Sequence, residues 1–153
     1  MNIYQRMKEL GIVIPELPRP VASYQPAVVH QNIVYASGQT GTVHQKLVYT
    51  GKLGAEVGLE DGKKSARLAV LNCLAELQAV LIDLNRVERI LRVTGYVASA
   101  PGFNDQPQVV EGASVLLIEV FGEHGRHARS AIGVAELPSN APVEIELLAA
   151  ISR

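Results

Sequence analysis

A single cysteine, Cys73, excludes any disulfide within the chain. The sequence also lacks a charge excess, with 14 Lys and Arg against 15 Asp and Glu. A non-specific nucleic-acid binder carries a basic surplus, so a nucleic-acid partner is not expected. No stretch approaches the roughly 18 uninterrupted apolar residues of a membrane span. Met1–Lys8 has no apolar core of the kind that makes a signal peptide, and the expected compartment is the cytoplasm. His124 and His127 stand at a spacing that can hold a metal on one face. No third ligand follows them, so no metal site is expected. The run Gly62-Lys63-Lys64-Ser65 fails as a phosphate loop. The earlier glycine falls at Val57, and Lys64 stands where Ser or Thr must follow the lysine.

What remains is an ordinary globular composition, 48% hydrophobic and 19% charged over 153 residues, which fits one domain. A short amphipathic helix is expected over Ile3–Leu10, ended by Gly11, as a helical extension within about the first 20 residues. Pro15, Pro18, Pro20 and Pro26 make the next segment extended. Strands are expected at Ala27–His30 and Ile33–Ser37, with a shorter one at Lys46–Tyr49. The clearest signal is a helix over about Asp61–Leu84. Ala66, Ala69, Val70, Cys73, Leu74, Leu77, Val80, Leu81 and Leu84 form one apolar stripe there. Cys73 on that stripe reads as a buried, inert thiol. A long strand over Val87–Ser99 and a second helix over about Gln108–Phe121 follow. Two carboxy-terminal strands complete an α+β order, a sheet with two helices on one face. Leu147, Leu148 and the run Ala149–Ile151 put apolar side chains on both faces of the last strand, which implies an oligomer.

The first of those strands carries a distinctive pattern. Side chains alternate between faces, so Arg129, Ala131, Gly133 and Ala135 share one face. An arginine followed only by small side chains leaves room for a ligand, and its fork suits a carboxylate. The same pattern fits a helix packed closely on the sheet. Glu144 lies on the last strand. If the two strands formed a plain hairpin, Arg129 would face about residue 150 and Glu144 would lie roughly 20 Å along the ladder. Either the strands are not neighbours, or the two residues meet across a subunit boundary.

Arg129-Ser130, the segment Val134-Ala135-Glu136-Leu137-Pro138 and then Val143-Glu144-Ile145-Glu146 resemble the signature end of the YjgF/Rid family, also known as L-PSP endoribonucleases. Tyr35-Ala36-Ser37-Gly38-Gln39 is similar to the family's strand ending in Ser-Gly-Gln, and Tyr24 stands where a family tyrosine lies. The helical extension and the run Phe121–Arg129 resemble the longer-chain YjgF-like branch. The resemblance implies a chorismate-mutase-like fold in a homotrimeric barrel, with ligand clefts at subunit boundaries. It also implies hydrolysis of 2-imino or 2-enamino acids to keto acids and ammonia, without metal or organic cofactor. Carried over, Arg129 would clamp a small carboxylate-bearing ligand and Glu144 would orient or activate water. Ser37 and Gly38 would shape the cleft, Tyr24 would close it, and the backbone around Ala131 would touch the ligand. Many relatives have cysteine at the position of Ala131 and asparagine at that of Glu111. A Glu111 facing the cleft would repel an acidic ligand or pair with Arg129. An L-PSP-type endoribonuclease and a non-catalytic small-molecule-binding trimer are the alternatives.

Overall fold

The computed structural model describes residues 2–17 and 23–153, so Pro18 and Pro20 of the extended segment lie outside the described residues. Among the described residues, the helices are α1 (Ile3–Glu9), α2 (Leu59–Leu81) and α3 (Gln106–Phe121). The strands are β1 (Ala27–His30), β2 (Ile33–Ala36), β3 (Gln39–Thr40), β4 (Thr42–Val43), β5 (Lys46–Leu47), β6 (Val87–Ala98), β7 (Ala128–Val134) and β8 (Val143–Ile151). The main sheet runs β1-β2-β8-β6-β7, with β3 also paired to β8, while β4 and β5 form a separate hairpin. β6 and β7 are parallel and the other pairs antiparallel, making a mixed sheet. The carboxy-terminal strands are therefore not neighbours, because β6 lies between them.

Both long helices cover one face of the sheet, as their stripes require. Leu74, Leu77, Leu116 and Leu117 from the helices meet Val93, Val97, Ile145 and Leu147 from the strands, all completely buried. α2 and α3 cross at Gly112, where a Cβ would collide with the carbonyl of Lys63. Only glycine permits that approach. The residues of the failed phosphate loop, Gly62 to Ser65, are an internal part of α2.

The helix expected over about Asp61–Leu84 begins at Leu59 and ends three residues earlier, at Leu81. α2 stops at Leu81 because Ile82 takes a left-handed conformation, with φ of 69°. Leu84 is still buried, but in a 3-10 turn over Leu84–Arg86 capped by the Asp83 carboxylate. The β4–β5 hairpin was unforeseen beyond its second strand. Its turn residues, His44 and Gln45, both have positive φ without the Asn-Gly pair that usually announces such a turn.

α1 is held on the body of the fold rather than projecting from it. Asn2 caps it by accepting from the Tyr4 and Gln5 amides at 3.0 and 3.1 Å. The Ile3 amide donates to Asn85, Leu84 N–H donates to the Tyr4 hydroxyl, and Arg6 Nε donates to the Glu119 carbonyl. Ile3 and Met7 are buried beneath it. No helix of the described residues is long and apolar enough to cross a membrane.

Candidate functional site

The register fixes where each expected site residue stands. Arg129 pairs with Val93, and Glu144 pairs with Tyr96. Pairing runs without interruption from Arg92 to Val97, so Val93 and Tyr96 point to opposite faces. Val93 is completely buried under the helices. Arg129 thus belongs to the helix-covered face and Glu144 to the open face. Three residues along β6 and two strand spacings across also separate their backbones by about 14 Å. Within one chain they do not meet.

The residues form two clusters. The first lies at the edge strand β7, beneath α3. Arg129 Nη1 donates to Glu111 Oε2 at 2.8 Å and to Ser114 Oγ at 3.1 Å. Ser114 is buried, and its hydroxyl lies 2.9 Å from Nε2 of His127. His127 Nδ1 lies 2.6 Å from the Gly125 carbonyl, which can only accept, so Nδ1 carries the proton. Nε2 then accepts from Ser114, whose lone pairs remain available to Arg129. Burial lowers the proton affinity of His127, and the Arg129 charge works the same way, while the Gly125 bond opposes them. A neutral His127 is consistent with this chain of bonds.

The space foreseen beside Arg129 is only partly there. Ala131 packs against the core, and a Cβ on Gly133 would meet Gln106 Nε2 at 2.9 Å and Ser99 Oγ at 3.1 Å. The small residues further along β7 let the start of α3 approach the sheet. The open side of this cluster is at Glu111, whose side chain is 52% exposed against 24% for Arg129. Beyond Glu111 a groove of about 260 Å³ runs between α2 and α3, past Lys63, Lys64, Arg67 and Val115.

The second cluster is at the far side of β8. Gly38 lies against the Glu144 side chain, whose atoms come within 3.0 Å of where a Cβ would be. Ser37 Oγ donates to the Gln25 carbonyl at 2.6 Å, and the Ser37 amide donates to Pro26. These bonds tie the Ser37-Gly38 turn to the segment carrying the exposed Tyr24. On the same open face, Tyr96 donates to Glu146 Oε1 at 2.6 Å. That bond leads the causes that push the Tyr96 hydroxyl up to about 12. Burial, helped by the charge of Glu146, raises the proton affinity of Glu144.

Nothing in the sequence marks Ser114 as a site residue. It is an ordinary helix residue until the fold sets α3 over β7. Glu76 was missed too. It is completely buried on α2, neither carboxylate oxygen has a hydrogen-bond partner among the described residues, and burial pushes it up to about 8. Cys73 is buried as expected, its thiol directed at the Ile145 carbonyl, and burial raises its proton affinity well above normal. His124 turns instead to the Glu88 carbonyl, away from His127's partners.

Comparison with known proteins places this geometry in context. The family model described as YjgF/chorismate mutase-like, putative endoribonuclease, matches residues 4–151. Protein TCP17 of Trypanosoma cruzi is 38% identical over 148 residues, covering 96% of this chain and 92% of that protein. A 2-iminobutanoate/2-iminopropanoate deaminase of Dermatophagoides farinae is 32% identical over 141 residues, covering 92% and 94%. Among solved structures, a protein of unknown function from Agrobacterium tumefaciens superposes with a TM-score of 0.91 at 40% identity, covering 98% of this chain and 92% of that one. An endoribonuclease candidate from Shewanella oneidensis superposes with a TM-score of 0.95 at 31% identity, covering 99% and 100%.

Proposed function

The chain belongs to the YjgF/chorismate mutase-like family, and from that premise we propose that it is an enamine/imine deaminase acting on small 2-imino acids. The observation that carries the reading is the state of Arg129. Its Nη1 is locked by Glu111 and buried Ser114, while Nη2 and Nε make no hydrogen bond among the described residues. A guanidinium fixed along one edge and unengaged along the other is prepared to take a carboxylate side-on.

The two clusters become one cleft in a homotrimer, where a neighbouring copy brings Glu144, Ser37, Gly38 and Tyr24 to the Arg129 edge. The open sheet face supports such an assembly, with Val28, Tyr35 and Ile132 exposed on it. In that cleft Arg129 holds the substrate carboxylate. Glu144 takes a proton from water as it adds to the C=NH₂⁺ carbon. Glu144 returns that proton to the carbinolamine nitrogen, the C–N bond breaks as the hydroxyl becomes the keto oxygen, and with the hydroxyl proton the nitrogen leaves as ammonium. A carboxylate with raised proton affinity is better matched to this work near neutral pH than an ordinary one. An iminium carbon is already electrophilic, so positioning supplies most of what is needed.

The test is a coupled assay in which an amino-acid oxidase or threonine dehydratase generates the imine and keto-acid release is timed. Native protein accelerates release, and Arg129→Ala does not. No acceleration with folded native protein across several amino-acid precursors would overturn the deaminase reading. The endoribonuclease descriptions among relatives give a second reading, in which Arg129 holds phosphate. The cations of the α2–α3 groove count against it. Lys63, Lys64 and Arg67 are each paired with a carboxylate, Glu60, Asp61 and Glu119. Salt-sensitive RNA cleavage lost in Arg129→Ala would favour it.

A further inference from the structure

We propose that Glu111 is a specificity-determining residue that selects ligands carrying a cationic nitrogen beside the carboxylate. The proposal rests on the reading of Arg129 as the carboxylate clamp. In it, the ligand carboxylate lies along Nη2 and Nε of Arg129. An ammonium or protonated imine nitrogen one carbon away donates to Glu111.

Charge at the site is the first argument. Arg129 and Glu111 lie 2.8 Å apart and together sum to zero. A neutral pair offers little net attraction to a simple anion, because the carboxylate of Glu111 repels what Arg129 attracts. A zwitterion satisfies both charges at once. The second argument is availability. Only Oε2 of Glu111 is engaged, with Arg129, and Oε1 makes no hydrogen bond among the described residues. Nor do the neighbouring cations neutralise it. Lys63, Lys64 and Arg67 line the groove that Glu111 borders, yet each is within 4.0 Å of a different carboxylate. The third argument is rigidity. Ser114 fixes Nη1 from the buried side, and His127 fixes Ser114, so the clamp and its acidic neighbour are held in one geometry.

This arrangement also separates substrate from product. The iminium acid carries the cationic nitrogen, whereas the keto acid has lost it and presents a neutral oxygen to Glu111. Glu111 therefore favours substrate binding and product departure, and stabilises the protonated imine that water attacks.

Calorimetric titration of the intact protein with L-alanine, pyruvate and lactate tests the proposal, using native protein, Glu111→Gln and Arg129→Ala. Alanine is expected to bind native protein at least about tenfold more tightly than pyruvate or lactate, the scale of one well-placed charge contact. Glu111→Gln is expected to reduce that ratio to within about threefold, partly by strengthening pyruvate binding as the repulsion is removed. A native ratio near one, or a ratio unchanged in Glu111→Gln, would overturn the assignment. Pyruvate binding to Glu111→Gln tells the two failures apart. Present there and lost in Arg129→Ala, it leaves the clamp standing while Glu111 fails. Absent from native and Glu111→Gln alike, it overturns the clamp and the Glu111 assignment with it.

Discussion

Arg129 and Glu144 are fifteen residues apart in sequence, joined through the same central strand, and directed to opposite faces of the sheet. Arg129 reaches up to α3, where Glu111 and Ser114 hold it, and Glu144 folds over Gly38 on the open side. Each sits in its own cluster of candidate site residues. In the proposed reading, a second copy of the chain closes a cleft that uses both.

Ser114 links Arg129 to His127, so its removal has two effects. Ser114→Ala leaves Nε2 of His127 without its donor and Arg129 without its buried acceptor. Urea unfolding should show a loss of about 1–2 kcal/mol, the usual cost of an orphaned buried polar group. In the imine assay the proposed roles predict that KM rises more than kcat falls, because Arg129 loosens while Glu144 is untouched.

His127 sets an acid limit on stability. Its folded proton affinity is lowered, chiefly by burial, below the ordinary value of 6.5. The unfolded chain therefore binds more protons just below pH 6.5, and stability declines as pH falls through that window. The contribution is fully present above 6.5. Unfolding midpoints measured from pH 7.5 to 5 should fall less steeply for His127→Gln than for native protein.

Glu76 sets the opposite slope. Its folded value of about 8 lies above the ordinary 4.5, so the folded chain holds a proton that the unfolded chain has lost. The protonated form's stabilising effect is complete below pH 4.5 and is lost as pH rises through about 8. Glu76→Gln keeps the shape without the charge. It should be more stable than native protein at pH 8.5 by roughly 1–3 kcal/mol, with the gap closing toward pH 4.5. A denaturation series across that range measures it.

The helices and most strands were legible because burial imposes a period. The stripe from Ala66 to Leu81 and the alternation along Val143–Leu147 can be read without any partner. Arg129 and Glu144 were legible as candidates, and the hairpin argument already barred their meeting within one plain hairpin. The strand order was not legible, since insertion of β8 between β2 and β6 is set by contacts distant in sequence. The Arg129–Ser114–His127 chain was hidden for the same reason, needing α3 to be laid over β7 first. Glu76 escaped because a helix reading assumes one wet face, whereas Asn72 to Leu77 are six consecutive buried residues. Ile82 escaped because a β-branched residue with positive φ gives no turn signal.

The most direct test of a cleft shared between copies is complementation between two inactive variants. Arg129→Ala and Glu144→Gln chains are each purified, shown to be folded and inactive, then mixed, unfolded and refolded together. If each cleft takes Arg129 from one chain and Glu144 from its neighbour, random assembly leaves roughly a quarter of the clefts intact. Imine hydrolysis should return to about that fraction of the native rate. Activity that stays at the level of the separate variants, in mixed assemblies of native size, would contradict the shared cleft.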